Sequence, residues 1–247
     1  MAHLRADQLA MRQGLCASRA LAQRLIQEGK IRLKDGTPLR KCGQLLEEEC
    51  VLVLEAPPRY VSRGAEKLLG GLAAFHPPVE GRVALDLGAS TGGFTDVLLQ
   101  HGARKVYAVD VGHGQLHEKL RGDSRVVSLE GVNARDLTRD LIPEPIQLLV
   151  GDVSFISLTL VLPPCAPLLA PGAWIIVLVK PQFEAGREAI GSQGVVRSEA
   201  IRRQCVEKIQ DFARGTLGWV PLGATPSPIL GPNGNQEYLA AFRAPEP

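Results

Sequence analysis

Val83-Ala-Leu-Asp-Leu-Gly-Ala-Ser-Thr-Gly-Gly93 is the stretch that decides the fold. An apolar run carries Asp86 near its end and breaks into a glycine-rich turn. Phe94-Thr-Asp-Val-Leu-Leu-Gln100 then reads as a helix. A second apolar run, Lys105-Val-Tyr-Ala-Val109, ends in Asp110, twenty-two positions after Gly88. Strand, glycine turn, helix, strand and acid make the first half of a nucleotide-binding Rossmann unit. The glycines let the backbone approach a ligand closely, and an acid at the tip of the second strand can accept ribose hydroxyls. The turn is not the G-x-G-x-x-G form that seats a pyrophosphate on a helix N-terminus. Gly88, Gly92 and Gly93, with a carboxylate two residues before the first of them, suit an uncharged adenosyl ligand, and the expected cofactor is S-adenosylmethionine.

Outward from this motif, strands are expected near residues 83–87, 105–109, 126–130, 147–151 and 173–179. Helices are expected near 93–101, 115–121, 155–169 and 198–214, and a closing antiparallel pair near 217–225 and 236–243. Alternating strands and helices imply an α/β fold with a doubly wound, mostly parallel sheet of seven strands. The longest apolar stretch, Trp174–Val179, is strand-sized, and no stretch reaches the eighteen residues of a membrane span. The first residues are charged and contain no signal-peptide core, and the five cysteines (16, 42, 50, 165 and 205) include no C-x-x-C pair. A reducing cytoplasm is the expected compartment, with no metal site.

The net charge of +2 hides an asymmetry. Residues 1–67 carry 12 Lys and Arg against 8 Asp and Glu, whereas residues 68–247 carry 16 against 18. A basic module ahead of a near-neutral domain points to a polyanionic partner or simply to a solvated surface. Within the module, residues 4–13 read as a short helix with Leu4 and Leu9 as core candidates. Ser18 is a candidate N-cap for a second helix carrying Leu21, Leu25 and Ile26, and Gly29 is placed to end it. Ile31-Arg-Leu33 reads as a strand, Asp35-Gly-Thr-Pro38 as a turn, and Val51-Leu-Val-Leu54 closes a small curled sheet. The expected division is 1–56 for the module, 57–78 for a linker marked by Pro57-Pro58 with a lead-in helix near Ser62–Leu72, and 79–247 for the Rossmann domain.

Charged residues fall at positions where such domains bind ligands, the carboxyl ends of the strands. Asp152 ends the fourth strand in Val150-Gly-Asp-Val-Ser-Phe155, and Lys180 follows Ile175-Ile-Val-Leu-Val179. Glu237 lies in the last strand and Lys67 in the lead-in helix. A lysine after so apolar a run is costly to bury without partners. Each residue taken singly can equally be a solvated loop residue or half of a structural ion pair. For the cofactor, Gly88 permits close approach, Asp110 takes the ribose, and Asn133 with Ala134 ends the third strand beside the adenine. Asp86 either anchors the loop or binds the methionine amine through water. Arg135 is a weaker candidate that can simply face solvent.

Residues 1–56 resemble the S4 RNA-binding domain, on the strength of Arg5-Ala-Asp-Gln-Leu9, Ser18-Arg-Ala20, Leu25-Ile-Gln-Glu-Gly-Lys-Ile31 and Val51-Leu-Val-Leu54. The resemblance implies a basic face on the second helix and its flanks, where Arg12, Arg19, Arg24, Lys30, Arg32 and Lys34 fall. Arg5 and Arg63 complete the candidate RNA contacts. The whole chain is similar to the TlyA ("hemolysin A") family of ribosomal RNA methyltransferases, whose catalytic domain is of the FtsJ type. The motifs carrying this are Tyr60-Val-Ser-Arg-Gly-Ala-Glu-Lys-Leu68, Leu85-Asp-Leu-Gly-Ala-Ser-Thr-Gly-Gly-Phe-Thr-Asp96, Asp152-Val-Ser-Phe-Ile-Ser-Leu158 and Leu178-Val-Lys-Pro-Gln-Phe-Glu184. In some members the linker reads Arg-Ala-Trp-Val where this chain has Arg59-Tyr-Val61.

The resemblance implies a Rossmann-like class I methyltransferase that methylates a cytidine ribose 2′-hydroxyl in ribosomal RNA, with S-adenosylmethionine as cofactor. Ribosomal RNA or a ribosomal subunit is the implied partner, with no membrane and no metal. It also implies a Lys-Asp-Lys-Glu tetrad at Lys67, Asp152, Lys180 and Glu237, and a cofactor pocket that adds Ala89, Ser90, Thr91, Gly92, Gly93 and Phe94. A lysine removes a hydroxyl proton only when desolvation and a neighbouring cation pull its pKa down. The competing readings are a non-catalytic RNA-binding or ribosome-assembly protein, a membrane-active hemolysin and a dehydrogenase. The complete tetrad, the lack of an amphipathic apolar face and the wrong glycine spacing count against each in turn.

Overall fold

The computed structural model describes residues 3–16, 18–55, 59–191 and 193–246. It divides into two compact units, residues 1–59 and 60–247. Pro57-Pro58, read as the linker, and the boundary residue Ala56 lie outside the described residues.

The first unit holds β1 (His3–Arg5), α1 (Ala6–Arg12), α2 (Arg19–Gln27), β2 (Ile31–Leu33), β3 (Leu45–Glu47) and β4 (Leu52–Leu54). The helix expected over 4–13 is shorter, because residues 3–5 pair antiparallel with β3. The Ser18 hydroxyl accepts the Leu21 amide at the start of α2, and Gly29, at φ 70°, follows its end. The Thr37 amide bonds to Asp35 Oδ1 at 2.8 Å and sets the turn after β2. The strands form two separate antiparallel pairs, β1–β3 and β2–β4, rather than one curled sheet. Leu9, Ala22, Ile26, Ile31 and Leu52 fill the core. At its edge Asp7 is fully buried, where it accepts two bonds from Arg5 and one each from Arg19 and Gln23. Four such bonds hold its carboxyl far below the ordinary range, the hydrogen-bonded Arg5 contributing most.

The second unit runs α3 (Ala65–Phe75), β5 (Val83–Leu87), α4 (Gly93–Gln100), β6 (Lys105–Asp110), α5 (Glu118–Arg121), β7 (Val126–Glu130), β8 (Ile146–Gly151), α6 (Leu158–Val161), β9 (Leu169–Val179), α7 (Pro181–Glu184), α8 (Glu199–Leu217), β10 (Val220–Pro226) and β11 (Tyr238–Arg243). Its sheet has seven strands in the order β10-β11-β9-β8-β5-β6-β7. The five strands from β9 to β7 are parallel, whereas β11 runs antiparallel to both β9 and β10. This is a doubly wound, Rossmann-like α/β fold. β10 is outermost and carries Pro221, Pro226 and an irregularity between Pro221 and Gly223.

Strand side chains alternate between two cores. Ala84, Leu148 and Ile176 pack with Leu68, Val97 and Leu98 of α3 and α4 on one face. Leu85, Leu149 and Ile175 pack with Val161 and Ile209 on the other. The lead-in helix thus belongs to the second unit. It begins at Ala65 rather than Ser62, because Asp96 of α4 takes the Val61 amide at 2.9 Å and fixes the preceding segment in another conformation. The helix expected over 155–169 breaks into α6 and a 3₁₀ segment over Pro163–Leu168. Pro163, Pro164 and Pro167 lack the amide hydrogens that an α-helix needs. No helix among the described residues is long and apolar enough to cross a membrane.

Gly88, at the tip of β5, is required twice. Its φ is 75°, and a Cβ there would lie 2.8 Å from the Asp152 carbonyl oxygen at the neighbouring strand end. Gly88→Ala is expected to destabilise the second unit by roughly 2–4 kcal/mol through left-handed strain and overpacking. Denaturant unfolding followed by near-ultraviolet circular dichroism measures this, and a wild-type midpoint would refute the crowding described.

Candidate active site

The carboxyl ends of β5, β6 and β8 surround a cavity of about 450 Å³. Among its lining residues are Gly88, Ser90, Asp110, Asn133, Ala134 and Asp152. A smaller space of about 250 Å³ adjoins it, lined by Ala89, Thr91, Gly93, Phe94, Lys67 and Lys180, among others. Gly88, Ser90, Asp152 and Ser154 belong to both walls.

The larger cavity has the features of a nucleoside site. Gly88 presents bare backbone to its wall. Asp110 is fixed by the Ser90 amide on one oxygen and the Gly112 amide on the other, each at 2.8 Å. Those bonds aim the carboxylate while lone pairs remain for ribose hydroxyls. Asn133 accepts the Arg135 amide and begins the short turn that places Ala134, whereas Arg135 is exposed. Two of the expected cofactor residues line neither space. Gly92, at φ 96°, packs against Leu116 and Leu120. Asp86 is fully buried within β5, with Oδ2 taking the Thr95 hydroxyl at 2.6 Å and Oδ1 left without a hydrogen bond.

The tetrad residues come together at the smaller space. Lys67 Nζ lies 3.1 Å from Asp152 Oδ2 and 2.8 Å from Glu237 Oε2. Lys180 Nζ forms a 2.5 Å ion contact with Asp152 Oδ1 and donates to Ser154 Oγ at 2.8 Å. Gln182 Nε2 donates to Glu237 Oε1 at 2.9 Å. Gln182, Glu237, Lys67, Asp152, Lys180 and Ser154 are thus linked in one chain of contacts.

Topology explains the meeting. β8 and β9 are neighbours, so Asp152 and Lys180 emerge side by side. Because β11 is antiparallel, its first residues lie at the carboxyl ends of the others. Tyr238 pairs with Val179, and Glu237 just before it falls opposite Lys180. α3 packs across the sheet and supplies Lys67. Glu237 is 0% exposed, Lys67 8% and Lys180 6%, so each charge depends on its partners. Burial works to lower the Lys67 pKa, but the Asp152 charge and the hydrogen-bonded Glu237 outweigh it and hold the ammonium above its ordinary value.

The sequence reading missed several members of the site. Ser154, Gln182 and Phe155 all sit inside quoted motifs, as a polar residue two positions after Asp152, a polar residue two after Lys180, and an aromatic in a strand-end loop. Phe155 has φ 64° and is 90% exposed at the cavity wall, with its ring 5.1 Å from that of Phe183. Among the RNA candidates, Arg5 and Arg19 are engaged with Asp7, Arg12 with Glu48, Lys30 with Glu28 and Arg32 with Glu55. Arg24 lies 3.9 Å from Glu28, and Lys34 and Arg63 are exposed with no ion pair among the described residues. No cluster of three or more metal-ligating side chains occurs among the described residues.

A Rossmann-like sheet closed by an antiparallel β11, with a nucleoside-sized cavity beside a lysine and carboxylate cluster, defines a methyltransferase-type domain. The FtsJ-like methyltransferase family matches residues 60–244, and the chain belongs to that family. It is 46% identical over 97% of its length, and 89% of the relative's, to the 16S/23S rRNA (cytidine-2′-O)-methyltransferase TlyA of Mycobacterium tuberculosis. It is 40% identical to the hemolysin A of Brachyspira hyodysenteriae, covering 97% of this chain and 99% of that one. A solved Streptococcus thermophilus structure described as a hemolysin superposes with a TM-score of 0.74 at 44% identity, over 100% of this chain and 91% of that one. The family is thus the TlyA and hemolysin A group of FtsJ-like methyltransferases.

The buried Asp86 carries a pH signature. Burial, opposed by the Thr95 bond and reinforced by the charges of Asp152 and Asp110, pushes its pKa from 3.8 up to about 7. A carboxyl raised in the folded state binds its proton more tightly there than in the unfolded chain. Its contribution to stability therefore falls as pH rises from about 4 to about 7, by a total on the order of 4 kcal/mol. Asp86→Asn is expected to remove this slope, so its thermal midpoint should gain on wild type across that window. Parallel pH curves for the two proteins would contradict the assignment.

Proposed function

We propose that this protein transfers a methyl group from S-adenosylmethionine to the 2′-hydroxyl of a cytidine ribose in ribosomal RNA, in the cytoplasm. The observation that carries this reading is the shared wall of the two spaces. Asp152 and Ser154, which hold Lys180 in the smaller space, border both that space, open to a second substrate, and a nucleoside-sized cavity. The donor set fits the cofactor: Asp110 for the ribose, Gly88 for close approach, and Asn133 with Ala134 beside the adenine. When bound, the cofactor supplies an electrophilic methyl group. The names of the curated relatives support the RNA ribose as acceptor.

A 2′-hydroxyl is a poor nucleophile, so its proton must leave as the oxygen attacks. In this reading Lys180, as the neutral amine, takes that proton. Ser154 and Asp152 aim its nitrogen. Lys67 stays protonated between Asp152 and Glu237 and places a fixed positive charge where the alkoxide develops. Gln182 keeps Glu237 turned toward Lys67. The remaining contribution is alignment of nucleophile, methyl carbon and leaving group. The exposed ring of Phe155 offers a stacking face to a nucleotide base.

Lys180→Ala should lower methyl transfer by roughly 10²–10⁴-fold while leaving cofactor affinity intact, the usual worth of a positioned base. Lys180→Arg should fail nearly as badly, because arginine keeps the charge but does not give up its proton. Single-turnover transfer of labelled methyl to ribosomal RNA reads this directly. A near-wild-type rate for Lys180→Arg would make Lys180 an electrostatic clamp and move the base elsewhere.

The first unit, read as an S4-like domain, would bind RNA through phosphate contacts with little sequence reading. Lys34 and Arg24 are the strongest of the candidates named in this unit, since theirs are the charges least neutralised among them. RNA affinity should fall steeply with salt, and the Lys34→Ala, Arg24→Ala double variant should reduce the slope of log affinity against log salt by about 2. An unchanged slope would remove these residues from the interface.

A further inference from the structure

The loop from Asp152 to Ser157 and the turn from Lys180 to Glu184 are laced together along their length. Asp152 and Ser154 hold Lys180 at one end. Phe155 rests on Phe183 in the middle. At the far end the Glu184 carboxylate, 1% exposed, accepts the Ser157 hydroxyl and the Leu158 amide, each at 2.7 Å. Lys208 of α8 backs this end, donating to the Glu184 carbonyl at 2.9 Å and to its carboxylate at 3.2 Å.

The loop needs such fastening. Phe155 holds a left-handed backbone conformation, which is unfavourable for a residue with a Cβ by roughly 1–2 kcal/mol, and it exposes a large aromatic ring to water. A strained, exposed conformation persists only where its surroundings over-determine it. The start of the loop is tied to the sheet, because the Asp152 amide donates to the Leu87 carbonyl at 2.9 Å. The far end has Glu184. Between these two anchors stand Ser154, which holds the Lys180 amine, and Phe155.

We infer that Glu184 and Ser157 form a positioning clamp for the Asp152–Ser157 loop, holding Ser154 and Phe155 where Lys180 and the acceptor nucleotide need them. The inference rests on the methyl-transfer reading above. Neither residue touches the reacting atoms; both act through the loop. A carboxylate is suited to the task because one group takes the helix-starting amide and the serine hydroxyl at once, with Lys208 offsetting its charge. Aspartate stops one methylene short of both donors. Glutamine keeps an acceptor for Leu158 and can donate to Ser157, giving up only the Lys208 contact on that side, while Lys208 retains the Glu184 carbonyl.

The test uses the full-length protein with ribosomal RNA at saturating cofactor and RNA, together with cofactor affinity and thermal midpoint. Glu184→Ala should slow single-turnover transfer by about 10²-fold, the effect of a small misplacement of reacting groups. Ser157→Ala, which leaves the carboxylate its amide and lysine partners, should slow it roughly tenfold, about the worth of one hydrogen bond. Glu184→Gln should rescue most of the rate and Glu184→Asp should not. Cofactor affinity should change far less than the rate in all four, although the loop also forms part of the cofactor wall. Wild-type rates for Glu184→Ala and Ser157→Ala would overturn the clamp, as would a rate loss that only tracks falling cofactor affinity and midpoint. Should Glu184→Ala fail to fold, Ser157→Ala decides by the same criteria. A wild-type protein inactive on ribosomal RNA would sink the underlying reading and the clamp with it. Activity that is lost in Lys180→Ala but kept in both clamp variants would sink the clamp alone.

Discussion

Four ionisable side chains are sequestered at the end of one sheet, and most of the local architecture answers the need to balance them. Asp152 is shared by Lys67 and Lys180, and Glu237 is shared by Lys67 and Gln182. With both lysines protonated, two cations meet two anions, so the cluster is neutral as a whole until Lys180 gives up its proton. Deleting Lys67 would leave Glu237, and deleting Asp152 would leave Lys180, a buried charge with no ionic partner in the cluster, a far larger penalty than the pair contributes in net stability. The four come from α3 and the ends of β8, β9 and β11. The insertion of the antiparallel β11 beside β9 is what brings Glu237 to the correct end of the sheet. Fold and site are therefore set by one constraint.

The first unit applies the same physics differently. Its buried carboxylate, Asp7, gathers Arg5, Arg19 and Gln23 around it, and so ties α2 to the start of α1. Two arginines that a charge count assigns to a partner are thus already spoken for inside the unit. A phosphate approaching them competes with Asp7. Lys34 has no such competitor among the described residues, although composition gives no hint of the difference.

The Rossmann half was legible because its signals are local. The glycine turn after β5, the acid ending β6 and the alternation of strand and helix each follow from neighbouring residues. Lys67 was different: α3 lies outside the alternating pattern, and only family resemblance singled it out. The helix expected over 155–169 is cut short because Pro163, Pro164 and Pro167 override its apolar spacing. β1 was missed because a three-residue strand is too short for periodicity to register. Ser154, Gln182 and Glu184 were not marked because their partners are distant in sequence, at Lys180, Glu237 and Ser157. A polar side chain in a loop reads as solvated until the fold supplies its partner.

The outermost strand, β10, carries a separate consequence for life at high concentration. It leaves Val220 57% and Leu222 41% exposed beside an open edge, a combination that invites another chain to add a strand. Pro221 and Pro226 have no amide hydrogen to contribute to such a ladder, and the irregularity between Pro221 and Gly223 breaks its spacing. Replacing both prolines with strand-favouring residues such as valine or threonine would leave only the irregularity at Gly223 to blunt the edge. The prolines thus act as gatekeepers against self-association, a form of colloidal protection that owes nothing to the chemistry at the other end of the sheet.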